Sequence, residues 1–215
     1  MPTPWHRGVP PATDLPGDLF ERPVVDVARA LLGMRLVSTV GGARTVGVIV
    51  ETEAYQGADD PASHAATRRG RTSRNAAMFG PPGRAYVYRI YGVHWCVNVV
   101  TGMEGDPQAA LVRGLDPLEG DDVMSGRRQG RRPLTEGPGR LCEALGITGD
   151  LDGHDLARPP LRLMGGWPIE ADRVGVSGRV GVRRAAERPF RFYVRGSAGV
   201  SRAPSVLVLP PMETQ

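Results

Sequence analysis

Lysine is absent from this chain of 215 residues, and all 27 basic side chains are arginine. No lysine side chain can therefore form a Schiff base with a sugar or another carbonyl group, although a free N-terminal amine still could. Arginine is permanently charged and binds phosphate oxygens through two parallel N–H groups. The composition argues against lysine-based covalent catalysis and leaves phosphate binding open.

Long apolar runs are also missing. No stretch approaches the 18 apolar residues that indicate a transmembrane helix, and the N-terminus lacks the apolar segment of a secretory signal. The excess of arginine, alanine, glycine and proline is typical of a GC-rich genome. We therefore expect a cytoplasmic bacterial protein with no membrane partner.

Proline is concentrated at the beginning of the chain. Five prolines precede residue 17, which is typical of a disordered segment. The remaining length suits one domain with a substantial core. The sequence predicts a disordered lead over residues 1–17, a single domain over residues 18–207 and a tail over residues 208–215.

Cysteine and histidine are too few and too scattered for metal chemistry. Cys96 and Cys142 stand alone, and none of the four histidines has zinc-ligand spacing. The phosphate-binding patterns G-x-G-x-x-G and G-x-x-x-x-G-K-[ST] and the nucleophile pattern G-x-S-x-G do not occur, so nucleotide hydrolases and α/β-hydrolases gain no support. We expect reduced, buried cysteines and no metal.

Turn residues divide the chain into short helices and strands. Residues 21–33 predict a helix with Pro23 near its start and Gly33 as its left-handed end. Residues 34–55 predict a hairpin around Gly41 and Gly42. Residues 56–82 then form a polar segment that is too long for an idle connection.

The rest of the chain mixes strands and helices. Residues 118–145 predict two helices. The predicted strands lie in RAYVYRIYG, HWCVNVVTG, QAALVRGLDP, LRLMG, GRVGVRR and FRFYVRG. This order predicts a single α+β domain with a largely antiparallel sheet flanked by helices.

Two acids directly follow a strand of the buried type, in VIVETEAY. Side chains alternate along a strand, so Glu51, Glu53 and Tyr55 share one face and the small residues between them share the other. An isolated pair of acids usually marks a solvated edge. A carboxylate held beside aromatic rings has a raised pKa, which makes it a candidate base.

Arginine and aromatic residues cluster further along the chain. Residues 67–74 and 125–133 hold four arginines each, which suits either phosphate binding or a solvated face. Tyr86 and Tyr88 share a strand face, and Tyr91 lies at the turn made by Gly92. These rings could pack the core, but an aromatic residue at a turn suits a wedge pushed into a base stack.

Taken together, the segments between about Leu19 and Ser201 resemble the alkyladenine (3-methyladenine, methylpurine) DNA glycosylase family. VETEAY and YVYRIYG are the most specific of them. The resemblance rests on RPVVDVARALLG, VETEAYQGADDPASH, RTSRNAAMFGPPGRAYVYRIYG, CVNVV, LVRGLDPLEG, GPGRLCEALGI and RFYVRGS.

The resemblance implies a monofunctional base-excision repair enzyme that works without a cofactor. Such an enzyme flips alkylated or deaminated purines out of double-stranded DNA and hydrolyses the N-glycosidic bond, leaving an abasic site. It would act as a monomer, associated with the nucleoid. The implied fold is one domain around a curved antiparallel sheet, similar to the C-terminal domain of formyltransferases.

The resemblance also implies the catalytic residues. Glu53 matches the general base that activates the attacking water. Arg113 matches the basic residue beside that water and the backbone of the flipped nucleotide. Glu51 has no such match, and we expect it to be structural, held by an arginine or by backbone donors.

The binding residues follow in the same way. Tyr55, His64 and Tyr88 match the walls that stack on the flipped purine, and the backbone at His64 matches the donor that recognises its 6-position. Asn98 matches the side chain that excludes the exocyclic amine of guanine. Tyr91 matches the residue that intercalates where the base has left the stack.

Three other functions stay open at this stage. A bifunctional glycosylase–lyase could use Pro2 as an N-terminal amine. A non-catalytic damage-binding protein would need Tyr91 and the arginine segments but not Glu53. An unrelated hydrolase of small glycosides would need two opposed carboxyl groups, whereas Glu51 and Glu53 are neighbours.

Overall fold

A computed structural model describes residues 15–66 and 70–202 of the chain. This part contains three α-helices and eight β-strands. The helices are α1 (Val24–Ala30), α2 (Asp121–Arg127) and α3 (Pro138–Leu145). The strands are β1 (Arg35–Ser38), β2 (Thr45–Tyr55), β3 (Ala85–Ile90), β4 (His94–Thr101), β5 (Gln108–Glu119), β6 (Leu161–Met164), β7 (Val174–Ser177) and β8 (Arg191–Val194).

The strands form one curved sheet in which every pairing is antiparallel. The order is β3-β4-β5-β2-β1-β6, and β8 pairs with both β2 and β7. Along one edge of β2, β1 therefore pairs with its first half and β8 with its second half, while β5 covers the other edge. The predicted α+β class with a largely antiparallel sheet is confirmed.

The two faces of β2 differ as the alternation of its side chains predicts. Val50 and Ala54 belong to the main hydrophobic core, and the Thr52 hydroxyl donates a hydrogen bond to the carbonyl oxygen of Ala28 in α1 at 2.7 Å. Both α1 and α3 pack on this core side of the sheet. The acids and Tyr55 therefore lie on the face turned away from α1.

The turns come where the glycines predict them. Gly33 follows α1 with a φ of 83°, and Gly41 and Gly42 lie between β1 and β2 with φ of 70° and 79°. Only a residue without a side chain adopts these left-handed conformations readily. The predicted helix, its stop and the first hairpin are confirmed.

One predicted strand is wrong. GRVGVRR, residues 178–184, is irregular, and the strand in this region is the preceding β7. The backbone N–H of Val180 donates to Glu53 at 2.6 Å, and Gly181 has a φ of 78°. The segment departs from strand geometry because its backbone binds a side chain of β2.

Some predictions fall on residues outside the described ranges. These are residues 1–14 of the lead, which include Pro2, residues 67–69 of the first arginine segment, and residues 203–215. Leu15, where the description begins, already packs against the main core. In the described part, no helix is long and apolar enough to cross a membrane.

Candidate active site

A cavity of about 430 Å³ opens on the face of the sheet that carries the two acids. Its walls come from the long segment after β2, from β3, β4 and β5, and from the irregular segment after β7. The lining residues are Tyr55, Ala62, Ser63, His64, Arg74, Met78, Tyr86, Tyr88, Ile90, Tyr91, Cys96, Asn98, Ala109, Leu111, Arg113, Pro138, Val180, Gly181 and Val182.

Three rings form the aromatic wall of the cavity. Tyr86 and Tyr88 stack with their ring centroids 5.2 Å apart, and His64 meets Tyr88 edge-on at 4.5 Å. Nδ1 of His64 is hydrogen-bonded to the Tyr86 hydroxyl at 2.8 Å. Burial, assisted by the charge of Arg74, lowers the pKa of His64. The imidazole is therefore neutral at physiological pH and adds no positive charge to the wall.

The floor of the cavity carries an oriented amide. Asn98 is buried, and its amide nitrogen donates to the carbonyl oxygen of Tyr86 at 2.9 Å, within the antiparallel pair β3–β4. That bond fixes the side chain in one orientation. Cys96 lies on the same floor, where burial raises the pKa of its thiol to about 11, so it is protonated at neutral pH.

Glu53 lies immediately behind the cavity and is fully buried. Its Oε1 accepts a hydrogen bond from the backbone N–H of Val180 at 2.6 Å. Its Oε2 accepts from the Tyr55 hydroxyl at 2.9 Å and from Nη1 of Arg113 at 3.3 Å. Burial raises the pKa of the Glu53 carboxyl, against the opposing effects of these three donors. All three donors are lining residues of the cavity.

Glu51 is enclosed by protein donors. Its Oε1 accepts from Nε of Arg191 at 2.6 Å, from the Ser201 hydroxyl at 2.8 Å and from Nε of Arg113 at 3.1 Å. Its Oε2 accepts from the backbone N–H of Ser201 at 2.6 Å. The expectation that arginine and backbone donors hold Glu51 is confirmed.

A second buried ion pair joins two walls of the cavity. Asp60, in the segment that carries His64, accepts two hydrogen bonds from Arg179, which precedes Val180. Both side chains are fully buried. The Arg179 guanidinium also lies 4.8 Å from the ring centroid of Tyr55. The pair therefore holds both segments against the ring that contacts Glu53.

Tyr91 projects from the turn between β3 and β4. It is 85% exposed and adopts a φ of 50°, and Gly92 follows with a φ of 71°. The N–H of Val93 closes the turn on the carbonyl oxygen of Ile90 at 3.1 Å. Two successive left-handed residues are typical of tight hairpin turns, and here they place an aromatic ring in solvent at the mouth of the cavity.

An open groove of about 1030 Å³ adjoins the cavity, and Arg113 and Pro138 line both. Further arginines of the groove are Arg128, Arg131, Arg132, Arg140 and Arg202. The second predicted arginine segment, residues 125–133, therefore serves two purposes, because Arg128, Arg131 and Arg132 line the groove and Arg127 does not. Arg127 instead donates to the carbonyl oxygens of Val40 and Ala144, so it holds the fold together.

The structure brings the sequence-predicted site residues together. Tyr55, His64, Tyr88, Tyr91, Asn98 and Arg113 line one cavity, and Glu53 lies behind it. Sequence reasoning left out Ser63, Tyr86, Arg179 and Val180. The shared strand face of Tyr86 and Tyr88 could have added Tyr86, whereas no local pattern marks Arg179 or Val180.

Metal-ligand clusters do not occur in the described part of the chain, where no three acidic, histidine or cysteine side chains group suitably. The buried acids are instead neutralised by arginines. The fold and the site define a class: a single α+β domain with an antiparallel sheet, in which a buried carboxylate lies behind an aromatic cavity.

Comparison with known proteins identifies the family. The sequence model described as "Methylpurine-DNA glycosylase (MPG)" matches residues 18–198. A protein of Methanoculleus marisnigri, provisionally named a 3-methyladenine DNA glycosylase, is 49% identical over 87% of this chain and 98% of its own length. The chain therefore belongs to the methylpurine-DNA glycosylase family, whose members are N-glycosyl hydrolases.

Further relatives carry the same provisional name. A protein of Agrobacterium fabrum is 47% identical over 88% of this chain and 93% of its own length. Another, of Myxococcus xanthus, is 48% identical over 88% of this chain and 94% of its own length. The likeness thus extends over nearly the whole length of each relative.

Proposed function

We propose that this protein is a monofunctional DNA glycosylase of the 3-methyladenine type. It takes an alkylated or deaminated purine out of double-stranded DNA and hydrolyses the N-glycosidic bond, with Glu53 activating the water. The observation that carries this proposal is the position of Glu53, buried behind an aromatic cavity and hydrogen-bonded to three of its lining residues.

The cavity suits a flat, electron-poor ring. Its volume lies in the usual range of small-molecule sites, and its walls are aromatic faces. A purine alkylated at N3 or N7 is cationic. The aromatic side chains of the cavity attract a cation through their π-electrons.

The neutral His64 does not repel a cationic base, and the lining arginine Arg113 is paired with Glu51 and Glu53. Arg74, which lies over the Tyr88 ring, is the lining cation that a cationic base would have to displace or avoid. The tyrosine hydroxyls also stay protonated, because burial raises the pKa values of Tyr55, Tyr86 and Tyr88.

The Glu53 carboxylate has capacity for one more partner. A carboxylate accepts about four hydrogen bonds, and the protein donors described above supply three. The remaining position would take a water molecule that enters between the lining donors, because Glu53 itself has no exposed surface. The raised pKa of Glu53 increases its affinity for the proton of that water, and its negative charge stabilises the oxocarbenium-like sugar of the transition state.

A single carboxylate is enough when the damaged purine is cationic. A hydrolase of ordinary glycosides needs a second carboxyl group to protonate the leaving oxygen. A purine alkylated at N3 or N7 already carries positive charge and leaves as a neutral base. A neutral lesion such as hypoxanthine must instead take up a proton from water at a ring nitrogen as the bond breaks. Glu51 cannot serve as an opposed acid, because protein donors occupy both of its oxygens.

Tyr91 is the proposed wedge. Extrusion of a base costs a few kcal/mol, and an aromatic ring that fills the vacated space offsets part of that cost. The exposed ring stands at the mouth of the cavity, beside the groove lined by arginines. Duplex DNA lying along this groove would meet both its phosphate ligands and the wedge.

Excision from defined oligonucleotides tests the proposal. We expect abasic sites, cleaved by alkali, in duplexes that hold 3-methyladenine, hypoxanthine or ethenoadenine, and none in an undamaged duplex. Absence of strand breaks with every lesion would contradict the proposal. Retained binding without excision would favour a damage-binding protein, and an adduct trapped by borohydride would favour a lyase that uses Pro2. The monomeric state and the cytoplasmic, bacterial setting stay predictions.

A further inference from the structure

The two acids of β2 share one cation. Arg113 donates through Nε to Glu51 at 3.1 Å and through Nη1 to Glu53 at 3.3 Å. Its side chain is only 9% exposed, so solvent contributes little to holding it. The orientation of the guanidinium is therefore set by protein groups. Glu53 and the carbonyl oxygen of Val180 lie at Nη1, and the groups at Nε and Nη2 belong to Glu51 and Ser201.

Those groups form a small buried network around Glu51. Arg191 on β8 donates to Glu51 through Nε at 2.6 Å, to the Ser177 hydroxyl through Nη1 at 3.1 Å and to the carbonyl oxygen of Ser201 through Nη2 at 3.3 Å. The Ser201 hydroxyl also lies 3.4 Å from Nη2 of Arg113. Within this network, Glu51 accepts hydrogen bonds from the guanidinium groups of Arg113 and Arg191 and from Ser201.

The charges of this network balance. Two carboxylates, Glu51 and Glu53, face two guanidinium groups, those of Arg113 and Arg191. If Glu51 were neutral, Arg113 would be left with Glu53 as its only carboxylate partner. A fully engaged cation stabilises the ionised form of a carboxyl group and makes it a weaker base.

We propose that Glu51 is a positioning residue, which holds Arg113 away from a full ion pair with Glu53 and so keeps Glu53 basic enough to activate water. This inference rests on the proposed function, because it assigns a role within the same reaction. Glu51 touches neither the base nor the water, and it acts through Arg113.

Other charged and titratable groups also surround Glu53, but none of them competes with it for Arg113 as Glu51 does. They are Tyr55 on β2, Tyr88 on β3, Cys96 on β4, Arg179 after β7 and Arg191 on β8. The tyrosines and the thiol are neutral at physiological pH, because burial raises their pKa values. Arg179 is engaged by Asp60. Glu51 is thus the anion that competes with Glu53 for Arg113.

The test compares Glu51→Gln with the wild type in single-turnover excision over a range of pH, on the lesion that the wild type removes fastest. We expect a rate at neutral pH that is lower by several-fold but by less than about 10-fold, with unchanged affinity for the lesion duplex. The acid limb of the profile should move down by roughly one pH unit, since loss of a nearby negative charge lowers the pKa of Glu53. Glu51→Asp should keep the limb where the wild type has it.

Ser197→Ala is the matched control. It removes a bond to Asp116 from the same C-terminal segment that carries Ser201, at 2.8 Å, and should leave the acid limb unmoved. If Glu51→Gln does not fold, the double variant Glu51→Gln/Arg191→Met is compared with Arg191→Met alone, so that the lost Arg191 charge is common to both and the difference in acid limb reports Glu51. A wild-type rate and acid limb in the folded variant would overturn the inference. Inactivity of the wild type itself would instead overturn the proposed function.

Discussion

At the scale of single residues, the environment of Glu53 determines what it can do. A buried carboxylate without donors would be protonated at neutral pH, and one with strong ion pairs would be too weak a base. Three hydrogen-bond donors keep Glu53 between these limits, while burial raises its pKa. In the proposed function, this balance of desolvation and hydrogen bonding is what would allow Glu53 to act as a base for water.

Glu53→Gln should abolish excision. The amide keeps the shape of the side chain but cannot take a proton, so we expect a fall in the single-turnover rate of about 100-fold or more. In the wild type the acid limb of the rate should lie above the ordinary range of glutamate, because the raised pKa leaves Glu53 protonated at mildly acidic pH.

The measurement is strand cleavage at abasic sites, with binding to the same lesion duplex followed in parallel. Glu104→Gln, a change at an exposed acid on the turn between β4 and β5, is the matched control and should excise normally. Full turnover by Glu53→Gln would remove Glu53 as the base, even if every other part of the assignment held.

At the scale of elements, the same four residues adopt two structures. RVGV occurs at Arg173–Val176 and again at Arg179–Val182. Val174–Ser177 is β7, whereas the second copy is an irregular wall of the cavity. The local sequence cannot distinguish the two copies. Only the second copy binds Asp60, through Arg179, and Glu53, through the backbone of Val180, and these partners lie more than a hundred residues away in the chain.

The ion pair between Asp60 and Arg179 should be strongly coupled to stability. Burial alone would raise the pKa of Asp60, but hydrogen bonds from Arg179 outweigh it and the pKa is lowered. A depressed folded-state pKa stabilises the fold above the unfolded value and loses that effect as the pH falls. Asp60→Asn should therefore cost roughly 3 kcal/mol at neutral pH and less in acid.

Urea denaturation at neutral and acidic pH measures this effect. The exposed neighbour Asp59, as Asp59→Asn, is the control and should change stability by less than about 0.5 kcal/mol. Equal stability of Asp60→Asn and the wild type at neutral pH would show that the pair does not hold the two walls together. Its loss should also weaken lesion binding, because both walls contact the cavity.

At the scale of the whole molecule, the open groove explains how a chain without lysine could bind DNA. Arg132 and Arg140 are exposed residues lining it, next to the cavity mouth. Each arginine that neutralises a phosphate releases a counterion, so binding weakens as salt increases. Arg127 contributes nothing to the salt dependence of binding, because its guanidinium donates to carbonyl oxygens within the protein.

Removal of these groove cations should flatten the salt dependence. We expect Arg132→Gln and Arg140→Gln each to reduce the slope of log affinity against log salt by about 1, on damaged and undamaged duplexes alike. Fluorescence anisotropy over a salt series measures the slope. Arg162→Gln, on the exposed face of β6 at the other end of the sheet, should leave it unchanged. Unaltered slopes in both groove variants would exclude the groove as the phosphate-binding surface.

Much of the fold could be predicted from the sequence, for a physical reason. Strand alternation, glycine turns and the faces of β2 are local properties, and they fixed the elements from α1 to β5. The cavity residues were predicted by resemblance to a family with short, dense motifs, and their roles stay predictions. The closing segment after β7 and the Asp60–Arg179 pair depend on long-range contacts that no local pattern records.

The position of β2 has a further consequence for motion. Near Glu51 and Glu53 this strand is paired on both edges, with β5 and with β8, whereas His64 lies in an irregular segment. Backbone amides in doubly paired strands exchange with deuterium only when the whole domain unfolds, and loop amides exchange through local opening. Glu53, the proposed base, and Glu51 would then keep their positions while the segment that carries His64 opens locally, so entry of a base into the cavity and its hydrolysis can occur on separate timescales.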